Sequence, residues 1–160
     1  MLKKIGIGLL ILLAVIQLIR PDMNRKEGPH PNDIANLYPV PEHVMQTMQA
    51  VCYDCHSNNT NYPWYFNIQP LAWWLDHHIE DGKKHLNFSE FGSYDLKKQA
   101  HKLEEVAELV GNGEMPLKSY TWAHAEARLN NEEREVIVNW ANDLREQINA
   151  TAGTGGTTMR

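Results

Sequence analysis

The sequence predicts an all-α domain behind an N-terminal transmembrane or signal segment. Apolar residues recur at spacings of three and four in four separate segments, as they do along one face of a helix. No segment shows the alternation of apolar and polar residues that is typical of strands. A basic and then apolar stretch opens the chain, and an acidic body follows it.

Residues 1–20 have the layout of an export signal. Lys3 and Lys4 precede an apolar run from Ile5 to Ile19, which only Gln17 interrupts. No small residues suited to a cleavage site follow this run before Gly28. We therefore expect an uncleaved anchor, with a cleaved signal peptide as the alternative.

This apolar run is short for a membrane span. Fifteen helical residues cover about 22 Å against a hydrocarbon core of about 30 Å. Lys3, Lys4 and Arg20 would have to reach outward to the interface. The lysines at the start favour a cytoplasmic N-terminus, which places residues 21–160 on the periplasmic side of a bacterial inner membrane.

Three further regions follow. Residues 21–42 contain five prolines and are expected to form an extended linker without regular helix. Residues 43–148 form the domain, and the small, polar residues 149–160 are expected to be disordered. Residues 21–160 carry 12 basic and 20 acidic residues, which argues against nucleic acid and suits a partner with a basic face.

Four helices are predicted within the domain. The first begins at Glu42 and ends in the cysteines, the second begins at Pro70 and stops at Gly82, the third runs from about Tyr94 to Val110, and the last begins at Asn130. Their expected buried faces are Val44, Met48, Cys52 and Cys55; Leu71, Trp74, Leu75 and Ile79; Leu96, Ala100, Leu103, Ala107 and Val110; and Val136, Ile137, Trp140, Leu144 and Ile148. Glu133, three residues after Asn130, predicts a capping box.

The stretch CYDCH, residues 52–56, carries the main chemical signal. Zinc would need a second pair of ligands, and a thioredoxin-type pair would need a preceding strand. A structural disulfide would leave His56 unexplained. C-x-x-C-H is the attachment signature of c-type haem, with Cys52 and Cys55 as the attachment points and His56 as the proximal iron ligand. We therefore expect one covalently attached haem c.

Met115 is the expected distal iron ligand. It lies in the loop GEMPL between two predicted helices and fits no helical periodicity, whereas Met45 and Met48 fit helix packing. The rival ligands are histidines, namely His77, His78, His85 and His101.

Aromatic residues cluster after the motif. Tyr62 or Trp64 is expected near the haem, and Trp73 or Trp74 in helix packing.

The order of these parts resembles a class I cytochrome c, and residues 43–141 resemble a bacterial haem-binding domain family. The similar stretches are CYDCHSNNTNYPWY, NIQPLAWWLDHHIEDGKKHLNFSEF and GEMPLKSY. The resemblance implies one covalent haem held by Cys52 and Cys55, with His56 as proximal ligand.

Together these signals favour a mono-haem electron carrier that is tethered to the membrane and exchanges electrons with other proteins. An enzyme such as a peroxidase, or a ligand-binding sensor, is the alternative and would require an open or labile sixth position on the iron. An electron-transfer protein rather than an enzyme is the expectation.

Overall fold

A computed structural model describes residues 1–155 of the chain, and these residues form an all-α structure, as predicted. The α-helices are α1 (Leu2–Ile16), α2 (Ile34–Leu37), α3 (Glu42–Val51), α4 (Tyr53–His56), α5 (Leu71–His85), α6 (Leu96–Gly111), α7 (Lys118–Ala123) and α8 (Asn131–Gly155). Short 3-10 helices occupy Trp64–Asn67, Phe88–Ser93 and Ala125–Ala127. The described residues contain no strand, only an isolated antiparallel bridge between Arg25 and Asn59.

The main core lies where α6 packs along α8, and α3 closes one side of it. The predicted apolar faces supply much of this core, because Val44, Met48, Leu103, Leu144 and Ile148 are each at most 2% exposed. A fully buried aliphatic side chain of this size contributes about 1.5–3 kcal/mol. Phe88 and Phe91, from the 3-10 helix after α5, complete this core.

A second, smaller cluster lies under α5. It consists of Phe66, Ala72, Leu75 and Ile79. Cys55 packs against this cluster and Cys52 packs against the main core, so the motif segment lies between the two.

The starts of α6 and α8 are capped by side chains. Asn130 and Glu133 form the predicted capping box, because the Glu133 N–H donates to Asn130 Oδ1 at 2.9 Å and the Asn130 N–H donates to Glu133 Oε2 at 2.9 Å. At the start of α6, the Lys98 N–H donates to Asp95 Oδ1 at 2.8 Å.

Three boundaries differ from the sequence expectation. Helix α5 continues through Gly82 to His85. The linker contains a helix, α2, whose first turn is capped by the Asp33 side chain. Helix α8 runs past residue 148 to Gly155, so the start of the expected disordered tail is helical; residues 156–160 lie outside the described residues.

Helix α1 stands apart from the body, and none of its residues is buried. Of the described helices, none combines the length and the apolar character needed to cross a membrane.

The residues just after α1 are held against the body by hydrogen bonds. The side chain of Gln17 accepts from the Gln69 N–H at 2.9 Å and donates to the Gln69 carbonyl at 3.2 Å.

Candidate functional site

A cavity of about 750 Å³ opens between the motif segment, α5, the end of α6 and the loop before α7. Cys52, Cys55, His56 and Met115 all line it. Most of the remaining wall is apolar or aromatic and comes from Val51, Tyr65, Trp74, Leu75, Leu86, Phe88, Val106, Leu109, Val110, Pro116, Leu117, Tyr120 and Leu129. A volume of this size is typical of small-molecule and cofactor sites.

The motif folds as a single helical turn that directs its three key side chains to one side. The carbonyl of Cys52 accepts from the N–H of Cys55 at 3.2 Å and from the N–H of His56 at 2.9 Å. Cys52 and Cys55 are not joined to each other. Burial raises the pKa of the Cys52 thiol to about 12 and that of the Cys55 thiol to about 11, so both keep their protons near neutral pH.

Helix α5 crosses the motif at very close range. A Cβ on Gly82 would lie 2.6 Å from the Cys55 carbonyl oxygen and 3.1 Å from the Cys55 Cβ. Only glycine permits this approach without a backbone shift. Gly82 therefore acts as a contact point and not as the helix stop that the sequence suggested.

His56 is oriented by a backbone carbonyl. Its Nδ1 lies 2.9 Å from the carbonyl oxygen of Leu86, which can only accept, so Nδ1 carries the hydrogen and donates. Burial lowers the pKa of His56, which favours the neutral ring. The Nε2 lone pair is then available to a metal ion, and metal-binding histidines commonly donate their other ring N–H in this way.

Met115 lies in a loop whose backbone is held from two sides. Its N–H donates to the Leu109 carbonyl at 3.0 Å, and its own carbonyl accepts from Arg134 Nη1 at 3.4 Å. The same Arg134 nitrogen also donates to the Val110 carbonyl. The loop therefore fixes Met115 at the cavity wall, and its half-buried side chain brings a soft thioether donor to that side.

The rival histidines divide into two groups. His77, His78 and His85 also line the cavity, and His78 Nδ1 donates to the Trp74 carbonyl at 2.8 Å. His101 does not line it, because its ring faces Glu104 and Glu105 at 3.6 and 3.2 Å.

Two residues that were expected near the cofactor, Tyr62 and Trp64, lie outside this cavity. The Tyr62 hydroxyl accepts from the Asn24 N–H at 2.6 Å and its ring packs on Phe66, while Trp64 is 76% exposed. Neither lines the cavity, because the loop after the motif turns them toward the linker and the solvent. Trp74, expected in helix packing, lines the cavity instead.

Sequence reasoning did not assign two cavity tyrosines, Tyr65 and Tyr120. Both lie within the stretches PWY and LKSY that carried the family resemblance. The residues around Tyr65 and Tyr120 come from distant parts of the chain, so helical periodicity could not predict that these tyrosines line the cavity.

The cavity offers donors that suit a haem. Two thiols, a neutral imidazole with a free nitrogen and a thioether face one apolar-walled space. The family comparison agrees with this geometry. The family model described as haem-binding domain matches residues 11–143, so the chain belongs to the haem-binding domain family and its cofactor is haem. No curated protein and no solved structure matches the chain.

Proposed function

We propose that this protein is a mono-haem c-type cytochrome that carries electrons outside the cytoplasm. The observation that supports it most directly is that Cys52, Cys55, His56 and Met115 line one cavity. Haem supplies a one-electron iron couple when it is bound, and the chain supplies attachment, axial ligands and an apolar shell.

Cys52 and Cys55 make the covalent attachment. Each cysteine adds its S–H across a vinyl C=C of haem, so an S–C bond forms, the thiol hydrogen goes to the other vinyl carbon, and no external oxidant is needed. The two thiols are free and are directed to the same side by the single turn of α4. His56 follows directly and offers Nε2 as the proximal ligand.

Met115 is the proposed distal ligand. Its loop precedes α7, and α8 packs behind the cavity on α6, which supports a class I cytochrome c-like arrangement of motif helix, methionine loop and closing helix. A thioether ligand favours the ferrous state and closes the iron to small molecules, which suits an electron carrier better than an enzyme.

The rim of the cavity supports a redox partner with a basic face. The charged residues lining it are Asp81, Glu105, Glu108 and Glu114, and no lysine or arginine of the described residues lines it. Glu105 is paired with Lys102 at 2.6 Å and Asp81 lies 3.8 Å from His85, so Glu108 and Glu114 provide most of the free charge. Complementary charge at a redox site speeds and orients encounter with a partner.

Export and tethering form the second part of the proposal. Helix α1 carries two lysines in its first turn and then an exposed apolar surface, including Leu9, Leu10 and Ile11 at 56–67% exposure. Burying such a surface in lipid is favourable, and its lysines would remain on the cytoplasmic side. We propose that α1 attaches the haem domain to the periplasmic face of the inner membrane.

One observation favours a second function, a haem peroxidase or ligand-binding sensor. His77, His78 and His85 line the same cavity as Met115 and would supply acid–base groups beside an open iron. A five-coordinate ferric spectrum of the purified protein would favour this alternative over the electron carrier.

Covalent attachment is the first prediction. Wild-type protein, expressed with the c-type maturation machinery, should retain haem stain on a denaturing gel. The Cys52→Ala, Cys55→Ala double variant should lose it, because no thioether can form. His101→Ala serves as the control and should keep full stain, since His101 lies outside the cavity. Absence of stain from the wild type would contradict the proposal.

A further inference from the structure

Two tyrosine hydrogen bonds join the segment that carries Met115 to the segment that carries His56. Tyr120 donates its hydroxyl to Asp54 Oδ2 at 2.9 Å, and Asp54 stands between the two motif cysteines. Tyr65, which follows the motif, places its hydroxyl 2.8 Å from His124 Nε2. Tyr120 and His124 both follow Met115 in the chain, so both bonds connect the two sides of the cavity.

Apolar burial contributes little to holding α7, the part of this segment that follows Met115, in place. Helix α7 has no buried residue, and its Trp122 is 85% exposed. Since apolar burial is the main stabilising contribution in a folded chain, the position of α7 depends strongly on its polar contacts. Upstream, the backbone of Met115 is held by Leu109 and Arg134. Downstream, the two tyrosine bonds reach across to the motif side, and beyond them the fully buried Ala127 lies in a 3-10 helix that contacts α3.

The proton positions in this network are consistent with one another. Burial, and then the nearby Asp54 carboxylate, raise the pKa of Tyr120, so its hydroxyl remains a donor. The other Asp54 oxygen, Oδ1, accepts from the Asn61 N–H at 3.0 Å. His124 Nδ1 donates to Glu126 Oε1 at 3.1 Å, which leaves Nε2 to accept from Tyr65.

Ring stacking couples the two hydrogen bonds. The rings of Tyr120 and His124 lie 4.4 Å apart between centroids and are 17° from parallel. A shift of either ring would therefore disturb both contacts.

We infer that Tyr120 and Tyr65 are positioning residues that hold the Met115 segment against the motif and so keep Met115 on the iron. The inference rests on the proposed ligation by Met115. Without these bonds, the segment leaves the motif side more readily, Met115 dissociates more often, and an external ligand competes more effectively for the iron.

The test uses full-length, haem-loaded protein with Tyr120→Phe and Tyr65→Phe. Each variant removes one hydroxyl and keeps the ring. Imidazole titration of the ferric protein should show about tenfold tighter imidazole binding in Tyr120→Phe, the effect of losing one hydrogen bond to a carboxylate. The methionine-to-iron charge-transfer band should weaken and the reduction potential should fall, because methionine ligation raises it. Tyr65→Phe should change the same readouts in the same direction.

Tyr53→Phe is the matched control. Tyr53 lies between the motif cysteines, as Asp54 does, and like Tyr120 it donates its hydroxyl to a carboxylate, Asp33 Oδ1 at 3.2 Å. That bond does not reach the Met115 segment. The imidazole affinity and the reduction potential of Tyr53→Phe should match those of the wild type, even if the thermal stability of the variant falls.

The outcomes separate this inference from the proposed function. The positioning role alone would be overturned by two results together. Met115→Ala removes the charge-transfer band of the wild type, and the imidazole affinities of Tyr120→Phe and Tyr65→Phe stay within twofold of that of Tyr53→Phe. A wild-type spectrum without methionine ligation would overturn both the distal ligand and the inference.

Discussion

At the scale of single residues, the chemistry of the site depends on which atoms remain free after the fold has made its hydrogen bonds. Nδ1 of His56 is committed to the Leu86 carbonyl, so Nε2 alone is available. The peptide groups of Met115 are committed to Leu109 and Arg134, so its thioether is the available group. Backbone contacts of this kind orient ligands without themselves touching the metal.

Replacing Met115 with alanine is the residue-scale prediction. The iron should lose its distal thioether, so the charge-transfer band should disappear, the reduction potential should fall, and the ferric protein should bind imidazole or cyanide readily. Visible spectroscopy and a potentiometric titration measure these changes.

Met45→Leu is the control for this prediction. Met45 lies on α3, is only partly buried and does not line the cavity, so the spectrum and the potential should stay unchanged. An unchanged spectrum in Met115→Ala would exclude Met115 as the ligand, and His77, His78 and His85 would then be the ligands to test.

At the scale of secondary-structure elements, the contact between α5 and the motif turn fixes the cysteines. The missing side chain of Gly82 lets α5 approach the Cys55 backbone directly. The cluster of Phe66, Ala72, Leu75 and Ile79 then packs beside that contact.

Gly82→Ala should therefore destabilise the protein and reduce the yield of covalent haem. The new methyl group meets backbone atoms that cannot rotate away, and overpacking of this kind costs about 1–3 kcal/mol. The better helix propensity of alanine offsets about 1 kcal/mol of it at most. Denaturant unfolding of the haem-loaded protein, together with the ratio of haem to protein, measures both effects.

Gly111→Ala provides the matched comparison within a helix. Its added Cβ would lie at an ordinary 3.7 Å from Val138 Cγ2, so stability should be unchanged or slightly higher. Equal behaviour of Gly82→Ala and Gly111→Ala would contradict the close-approach argument.

The sequence alone could predict the features that are encoded within a single helix or a short motif. Helical periodicity predicted the buried faces of α3, α6 and α8, because each pattern is complete within one helix. The C-x-x-C-H motif is also local, and Met115, which lines the cavity, was singled out because it departs from periodicity.

Contacts between remote segments could not be predicted in this way. The partners Tyr120 and Asp54 are 66 residues apart, and their meeting depends on how several elements pack. Gly82 was read as a helix stop because glycine often ends helices, whereas tertiary packing decided its role here.

At the scale of the whole molecule, the linker is part of the structure and not a free tether. The Asn24 side chain donates to the Ser57 carbonyl at 2.8 Å and accepts from Lys83 Nζ at 2.6 Å. Lys26 pairs with Glu90 at 3.0 Å, and these contacts tie residues 24–26 to the end of the motif segment, to α5 and to the 3-10 helix after α5.

The residues that follow α1 extend this attachment. The carbonyl of Ile19 accepts from Gln69 Nε2 at 2.8 Å and from Trp73 Nε1 at 3.0 Å, beside the paired contacts of Gln17 with the Gln69 backbone. Cleavage near residue 20 would remove Gln17 and Ile19 and with them all four hydrogen bonds. This argues for retention of the N-terminal segment and for a fixed orientation of the haem domain relative to α1.

The last prediction follows from this attachment. The mature protein should begin at or near Met1, sediment with membranes and be released by detergent but not by high salt, because apolar contact with lipid is not screened by ions. Protease added to spheroplasts should digest the haem domain if residues 21–160 lie on the periplasmic side. Mass spectrometry of the purified N-terminus supplies the decisive measurement. A soluble periplasmic protein that begins beyond residue 20 would contradict the anchor and leave export and haem attachment intact.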